Sequence, residues 1–174
     1  STGTASFSRD GNLVVMHDDV VPTTIARAGL EASGGEVLYD RNTGVIRLQD
    51  NAQVELLPDE ARASVNISSA RAALAQIENY MFFEGGTEIH TGDLVVQSQE
   101  ATAYFGEEET ALERLELRGD ATVRTSDGTL REMRANEVTL LFEQTTRQFG
   151  GATLSGQAHI ELSGNDEIGS SIDA

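Results

Sequence analysis

A nine-residue motif recurs four times along the chain, and this recurrence restricts the fold more than any other feature. Each copy has an alternation of apolar and polar residues, a polar or glycine step, and a second short alternation. The copies are Ile46–Val54, Met81–Ile89, Leu115–Val123 and Ala152–Ile160. The small residues that follow the step are Ala52, Thr87, Ala121 and Ala158, separated by 35, 34 and 37 residues. Such a period indicates stacked units rather than one globule.

A second strand signal and a turn precede the motif. Glu36–Tyr39 is followed by Asp40–Gly44, whose Asn42 and Gly44 suit the positive φ of a hairpin turn. We therefore predict a unit of strand, turn, strand, kink and strand. Glycine and asparagine tolerate sharply bent backbone, so they locate the kinks. The predicted kinks are Asp50-Asn51, Gly85-Gly86, Arg118-Gly119 and Ser155-Gly156.

The repeat predicts an elongated all-β protein. The 17 glycines and two prolines are typical of many short strands joined by turns. The units are expected at about 30–57, 62–92, 93–125 and 130–163, within one repeat-built domain that spans 1–174 and has partial units at both ends. Because the N-terminus carries no basic or hydrophobic segment and no initiator Met, we expect a processed or excised piece of a longer protein.

The stretch from Pro58 to Asn79 leaves two alternatives. Its Asp59–Arg62 and Ser69–Gln76 segments have the composition of a helix with a serine cap. The repeat instead favours a strand, because Val65–Ala70 occupies the place that Leu94–Ala101 fills in the next unit. Tertiary context often overrides the helical propensity of alanine, so we predict strand here.

Period-2 alternation places a row of apolar side chains on one side of the strands. The candidate site residues on this side are Ile46, Leu48, Val54, Met81, Phe83, Ile89, Leu115, Leu117, Val123, Val138, Leu140, Phe142, Leu154 and Ile160. Two interpretations remain open. The row is either a plain hydrophobic core or the lining of an apolar slot between two stacked sheets. Many inward positions are Ala, Val or Thr, which favours an underfilled interior.

Charge and composition exclude several functions. The formal charge of −17 repels nucleic acid and anionic membrane surfaces, so we expect no nucleic-acid partner. The chain has no cysteine, and His17, His90 and His159 lie at non-equivalent positions of the units. We therefore expect no metal, no cofactor and no catalytic residue. The carboxylates of Glu107–Glu109 are interpreted as a solvated turn rather than as part of a glycosidase pair.

Two stretches of the chain resemble a known family. They are Ala101–Tyr104 with Leu115–Val123, and Met133–Val138 with Leu154–Ile160. A short strand with alanine and an aromatic, a polar turn, and then Leu-x-Leu-x-Gly-x-Ala-x-Val resembles the OstA-like superfamily of periplasmic lipopolysaccharide-transport proteins, which includes LptA, LptC and the N-terminal domain of LptD. The residues from Ala32 to Leu162 can be threaded onto this pattern.

The resemblance implies an open β-jellyroll, a folded-over β-solenoid of two sheets whose apolar groove holds the acyl chains of lipid A. It implies a non-enzymatic, periplasmic lipid-binding module, anchored through a segment outside this chain or not anchored. Its partners would be lipopolysaccharide or another acylated lipid, and other OstA-like domains joined edge to edge, with self-association through the exposed end strands. The alternative is a structural β-solenoid spacer or adhesin segment with a packed core and no ligand.

Overall fold

The computed structural model describes residues 4–8, 11–18, 21–27, 29–58, 64–75, 77–106, 112–126, 129–143, 149–163 and 170–173. Within these ranges the protein is all-β, with sixteen strands and no helix, as the repeat predicts. The strands are β1 (Thr4–Phe7), β2 (Leu13–His17), β3 (Thr23–Arg27), β4 (Leu30–Gly34), β5 (Glu36–Asp40), β6 (Val45–Gln49), β7 (Ala52–Leu56), β8 (Val65–Ser69), β9 (Arg71–Ala75), β10 (Tyr80–Thr91), β11 (Leu94–Phe105), β12 (Leu112–Thr125), β13 (Leu130–Phe142), β14 (Phe149–Ser155), β15 (His159–Leu162) and β16 (Ser170–Asp173). Among these residues no helix is long and apolar enough to cross a bilayer.

The strands form one antiparallel sheet that is folded into two rows. Row A contains β1, β2, β5, β6, β9 and β14, and row B contains β3, β4, β7, β8, β15 and β16. The long strands β10 to β13 belong to both rows, because each pairs with different neighbours on the two sides of a bend. The sheet is not closed into a barrel. The ends of the rows away from the bends are called rim A and rim B below.

Pairs of residues with left-handed backbone make the bends on the way from row A to row B. Positive φ angles occur at Asp50 and Asn51 (57° and 61°), Gly85 and Gly86 (83° and 86°), Gly119 and Asp120 (77° and 50°), and Gly156 and Gln157 (73° and 53°). The predicted kinks at Asp50-Asn51 and Gly85-Gly86 are confirmed. The kinks predicted at Arg118-Gly119 and Ser155-Gly156 are wrong by one residue, because the pair starts at the glycine and ends on the following polar residue.

The chain also bends on its way back from row B to row A, which the predicted unit lacks. These return bends lie at Gly34-Gly35, at Ala70 between β8 and β9, and at Gln99 and Asn136 inside β11 and β13. Each return bend packs behind a left-handed pair. A side chain built on Gly85 would meet Cβ of Ala70 at 2.6 Å. The bends therefore stack on one another along the molecule.

Strand, not helix, fills the ambiguous stretch. β8 and β9 cover 65–75, and β8 pairs with β7 and β10 in the place predicted from the repeat. The helical alternative is wrong for these residues, and Asp59–Arg62 and Gln76 lie outside the described residues. Ala72, Leu74 and Ala75 are buried, so their side chains serve sheet packing rather than helix formation.

Candidate ligand-binding cleft

Two cross-strand ladders of apolar residues face each other across the interior. The row A ladder is Met16, Val37, Leu48, Ala72, Phe83, Ala101, Leu117, Val138 and Leu154. The row B ladder is Ile25, Ala32, Val54, Ile67, Ile89, Val96, Val123, Met133 and Ile160. Their buried members belong to one hydrophobic cluster, with the partly buried end residues packed against it. The apolar interior thus runs across the strands, along the stacking direction.

The fourteen residues predicted from alternation all lie in this cluster or against it. Ten are buried: Leu48, Val54, Met81, Phe83, Ile89, Leu115, Leu117, Val123, Val138 and Leu140. Ile46, Phe142, Leu154 and Ile160 are partly buried and pack against the cluster. Phe83, Leu117 and Leu140 fill the space between the rows so fully that their exposure is 1% or less. Contact of these side chains with a lipid stays a prediction.

An apolar cavity of about 300 Å³ opens between the two rims near the N-terminal half of the stack. It is lined by Ile25, Ala26, Arg27, Gly29, Leu30, Ile46, Leu56, Leu74, Ala75, Asn79, Tyr80, Met81 and Phe105. The β3–β4 hairpin and the end of β7 supply the wall from row B, and β6, β9, β10 and β11 supply the wall from row A. The interior is therefore packed near the bends and open at this mouth.

Only Ile46 and Met81 of the predicted residues line the cavity. Leu56 lies two residues after Val54 on the same strand, so the alternation of apolar residues also predicts that it faces inward. Leu74 lies in the alanine-rich stretch where helix and strand compete. Ile25 and Leu30 belong to the β3–β4 hairpin, whose short polar strands carry little apolar alternation. The hairpin closes one side of the cavity, and its role becomes visible only through its pairing with β7.

Aromatic packing holds one side of the mouth. Tyr80 lines the cavity, and its ring lies 6.3 Å from that of Tyr104. The Arg114 guanidinium stacks over Tyr104 at 4.1 Å from the ring centroid. Such a cation–π contact restricts the orientation of the ring below it. Tyr80 is thereby supported from outside, which favours a preformed rather than a collapsing opening.

A polar network covers the outer face of row B. It consists of His90, Glu88, Gln97, Arg124, Glu132 and Arg134, on β10 to β13. Glu132 has little exposure and accepts from Arg124 Nε at 2.6 Å and pairs with Arg134 Nε at 2.5 Å. Burial raises the pKa of the Glu132 carboxyl, but hydrogen bonds and positive charge from Arg134 and Arg124 outweigh it and hold the pKa below its usual range. The network fixes the strands that form the packed part of the cleft.

Replacing Glu132 with glutamine is expected to lower the free energy of unfolding at pH 7 by about 1 kcal/mol, because both arginines are half exposed and solvent screens the pair. A depressed pKa stabilises the fold above the unfolded value of about 4.3, and this contribution is lost as the pH falls through the lower folded value. The difference between Glu132→Gln and the parent protein should therefore shrink between pH 7 and pH 3 in urea unfolding. Glu55→Gln on the same face controls for the loss of one negative charge and should change stability by less than about 0.5 kcal/mol. A difference that stays constant with pH would contradict the ionic origin.

Apart from the cleft, the described residues show no cluster of side chains typical of a metal site. No three of their His, Asp or Glu side chains come together as a group that could hold a metal ion. His17, His90 and His159 lie on separate strands, β2, β10 and β15. Glu107–Glu109, interpreted above as a turn, lies outside the described residues. The apolar cleft is the feature of the described chain best suited to binding.

Comparison of the sequence with protein-family models and with curated proteins gives no match. The resemblance to the OstA-like superfamily therefore stays a prediction. What the structure adds is geometric: within the described residues, an all-β sheet folded on itself, with edge strands that have one neighbour each and an apolar interior that opens between the two rims.

Proposed function

We propose that the chain is a non-enzymatic, periplasmic lipid-binding module that carries lipopolysaccharide or another acylated lipid between its two rows of strands. The observation that supports it most is the pair of facing apolar ladders joined to an open apolar mouth. Acyl chains are long and uncharged, and burying them against such surfaces is favourable by about 0.8 kcal/mol per methylene. Ligand pockets are typically apolar and concave, as this cleft is.

The edges of the rows support the proposed partners. Among the described strands, β1 and β14 each have one neighbour in row A, and β3 and β16 each have one in row B. Unpaired edges are templates for pairing with another chain. We therefore propose that another OstA-like domain, or a second copy, extends the stack at either end. Sedimentation velocity distinguishes self-association from a need for a different chain.

The net charge sets a condition on the cargo. A protein of charge −17 repels an anionic headgroup. The headgroup of lipopolysaccharide would then lie in solvent beyond the rims or be bridged by divalent cations, and the acyl chains would supply the affinity. Mg²⁺, which can bridge protein carboxylates and an anionic headgroup, is accordingly expected to strengthen the binding of lipopolysaccharide.

A photo-crosslinking amino acid placed at Ile46 is expected to label lipopolysaccharide, whereas the same probe at Arg47 is not. The two positions are adjacent on β6, but Ile46 lines the cavity while Arg47 is exposed on the outer face. The adduct is read by gel shift and immunoblot. Far-ultraviolet circular dichroism confirms that both labelled proteins fold. Equal labelling at the two positions, or labelling at Arg47 alone, would overturn the transport proposal.

The second candidate is a spacer or adhesin segment that binds nothing. The complete burial of Leu48, Phe83 and Leu140 favours it, because a packed core needs no ligand. The crosslinking experiment separates the two functions: a spacer gives no adduct at any inward position.

A further inference from the structure

We propose that the mouth cavity binds a single straight acyl chain that ends in a carboxylate, with the carboxylate beside Arg27. The inference rests on the proposed function, because it names the chemical class of ligand that the open part of the cleft takes. A free fatty acid, or one acyl chain of a larger lipid followed by a negative group, has this chemistry.

The size of the cavity argues for one chain. A methylene group is similar in size to a water molecule, whose share of liquid volume is about 30 Å³, so 300 Å³ holds on the order of ten carbons. Several acyl chains side by side exceed this space. Phe83 and Leu117 are fully buried behind the mouth, so the chain cannot lengthen inward without displacing the packed core.

The lining of the cavity argues for a negative end group. Of the thirteen described residues that line it, only Arg27 is charged. Arg27 is the last residue of β3 and shares a strand face with Ile25, two residues earlier, so it stands at the rim of the apolar surface.

Cross-strand pairing strengthens this placement. Arg27 pairs with Leu30, and Leu30 pairs with Leu56. Arg27 is thus the last residue of an otherwise apolar cross-strand row. A cation at this place suits a ligand whose acyl chain enters the cavity and whose charged end group stays in water. A guanidinium has five N–H donors, so Arg27 can bind the carboxylate of a ligand in addition to its contact within the protein.

The overall negative charge does not forbid this contact. Charges farther away than the Debye length, about 8 Å at physiological ionic strength, are largely screened. A nearby arginine can therefore dominate at the mouth of a protein whose net charge is −17. Higher salt should weaken the carboxylate preference while leaving the apolar contribution intact.

Isothermal titration calorimetry with decanoic acid and 1-decanol, which differ in charge, tests the inference. We expect one decanoate per chain, bound more tightly than decanol. Arg27→Gln should weaken decanoate binding about two- to fivefold, the effect of an exposed ion pair, and leave decanol unchanged. Because Arg27 is exposed, this variant should fold normally.

A cavity-filling variant tests the location. Leu30→Trp should weaken both ligands at least tenfold, whereas Leu141→Trp, on the exposed outer face of β13, should change neither. Affinity should rise about fourfold per added methylene and level off at on the order of ten carbons. Circular dichroism checks that the tryptophan variants fold.

The inference is overturned if Arg27→Gln weakens acid and alcohol equally, if Leu30→Trp leaves a folded protein with unchanged affinity, or if affinity keeps rising well beyond ten carbons. These failures differ from failure of the proposed function. In these three cases the Ile46 probe can still label lipopolysaccharide, which leaves the proposed function standing without a single chain that ends in a carboxylate. If Ile46 gives no adduct and no acyl ligand binds, both proposals fall.

Discussion

Replacing Phe83 with alanine is expected to lower the free energy of unfolding by about 3–5 kcal/mol, one of the largest effects of a single substitution in this chain. Phe83 is 0% exposed. Its cross-strand neighbours on both sides are alanines, Ala72 on β9 and Ala101 on β11. Three small residues in line would leave a void that neither neighbour can fill, so the cost lies toward the upper end for a phenylalanine.

Phe82→Ala is the matched control for this experiment. Phe82 is the preceding residue of the same strand, on the opposite face, and is only partly buried. It should cost less than about 2 kcal/mol. Urea unfolding followed by far-ultraviolet circular dichroism measures both variants, since the chain has no tryptophan. If the two substitutions cost the same, the assignment of inward and outward faces is wrong.

Replacing Gly85 with alanine is expected to cost about 2–5 kcal/mol for two separate reasons. The backbone φ of +83° is unfavourable for a residue with a Cβ, by about 1–2 kcal/mol. The new Cβ would also lie 2.6 Å from Cβ of Ala70 in the return bend, and overpacking of this kind costs about 1–3 kcal/mol.

Gly86 separates the two causes. Its φ is +86°, but a Cβ there meets nothing within 4 Å, so Gly86→Ala should cost only the backbone part, about 1–2 kcal/mol. In the Gly85→Ala protein, Ala70→Gly should restore about 1–3 kcal/mol by removing the clash. Thermal or urea unfolding of the four proteins provides the comparison. If Ala70→Gly restores nothing, the close packing of the two bends is not what Gly85 serves.

The inward faces could be predicted from the sequence because strand alternation is a local property. Once Leu115 and Leu117 share a face, so do Val123 and the equivalent positions of the other motif copies. The structure buries these residues or packs them against the core, except for Ala152 at the start of the fourth copy, which is exposed. The strand at 65–75 was also predictable, although its alanines favour helix, because the repeat supplies the context that single-residue propensity lacks.

The bends show where local pattern is insufficient. Glycine and asparagine point to left-handed backbone, but the second members of two pairs, Asp120 and Gln157, carry no such signal. The return bend at Ala70 has an ordinary residue. The chain can bend at Ala70 because Gly85 on the neighbouring strand has no side chain and leaves room for Cβ of Ala70. These two residues are far apart in the sequence and meet only in the folded sheet.

The cavity could be predicted only in part. Ile46 and Met81 follow from alternation, whereas Ile25, Arg27 and Leu30 reach the site through the pairing of the β3–β4 hairpin with β7. Whether an apolar interior is full or open depends on how far apart the rims stand, a quantity that no periodicity encodes.

The two-sided fold determines where this chain can tolerate insertions. Between a bend and a rim most segments are only five or six residues long, and an added residue there would exchange inward and outward side chains up to the next turn. An insertion in a connection at rim A or rim B leaves both ladders in register. Length variation among proteins built this way should therefore collect at the rims, where it can reshape the entrance to the cleft while the bends and the interior stay unchanged.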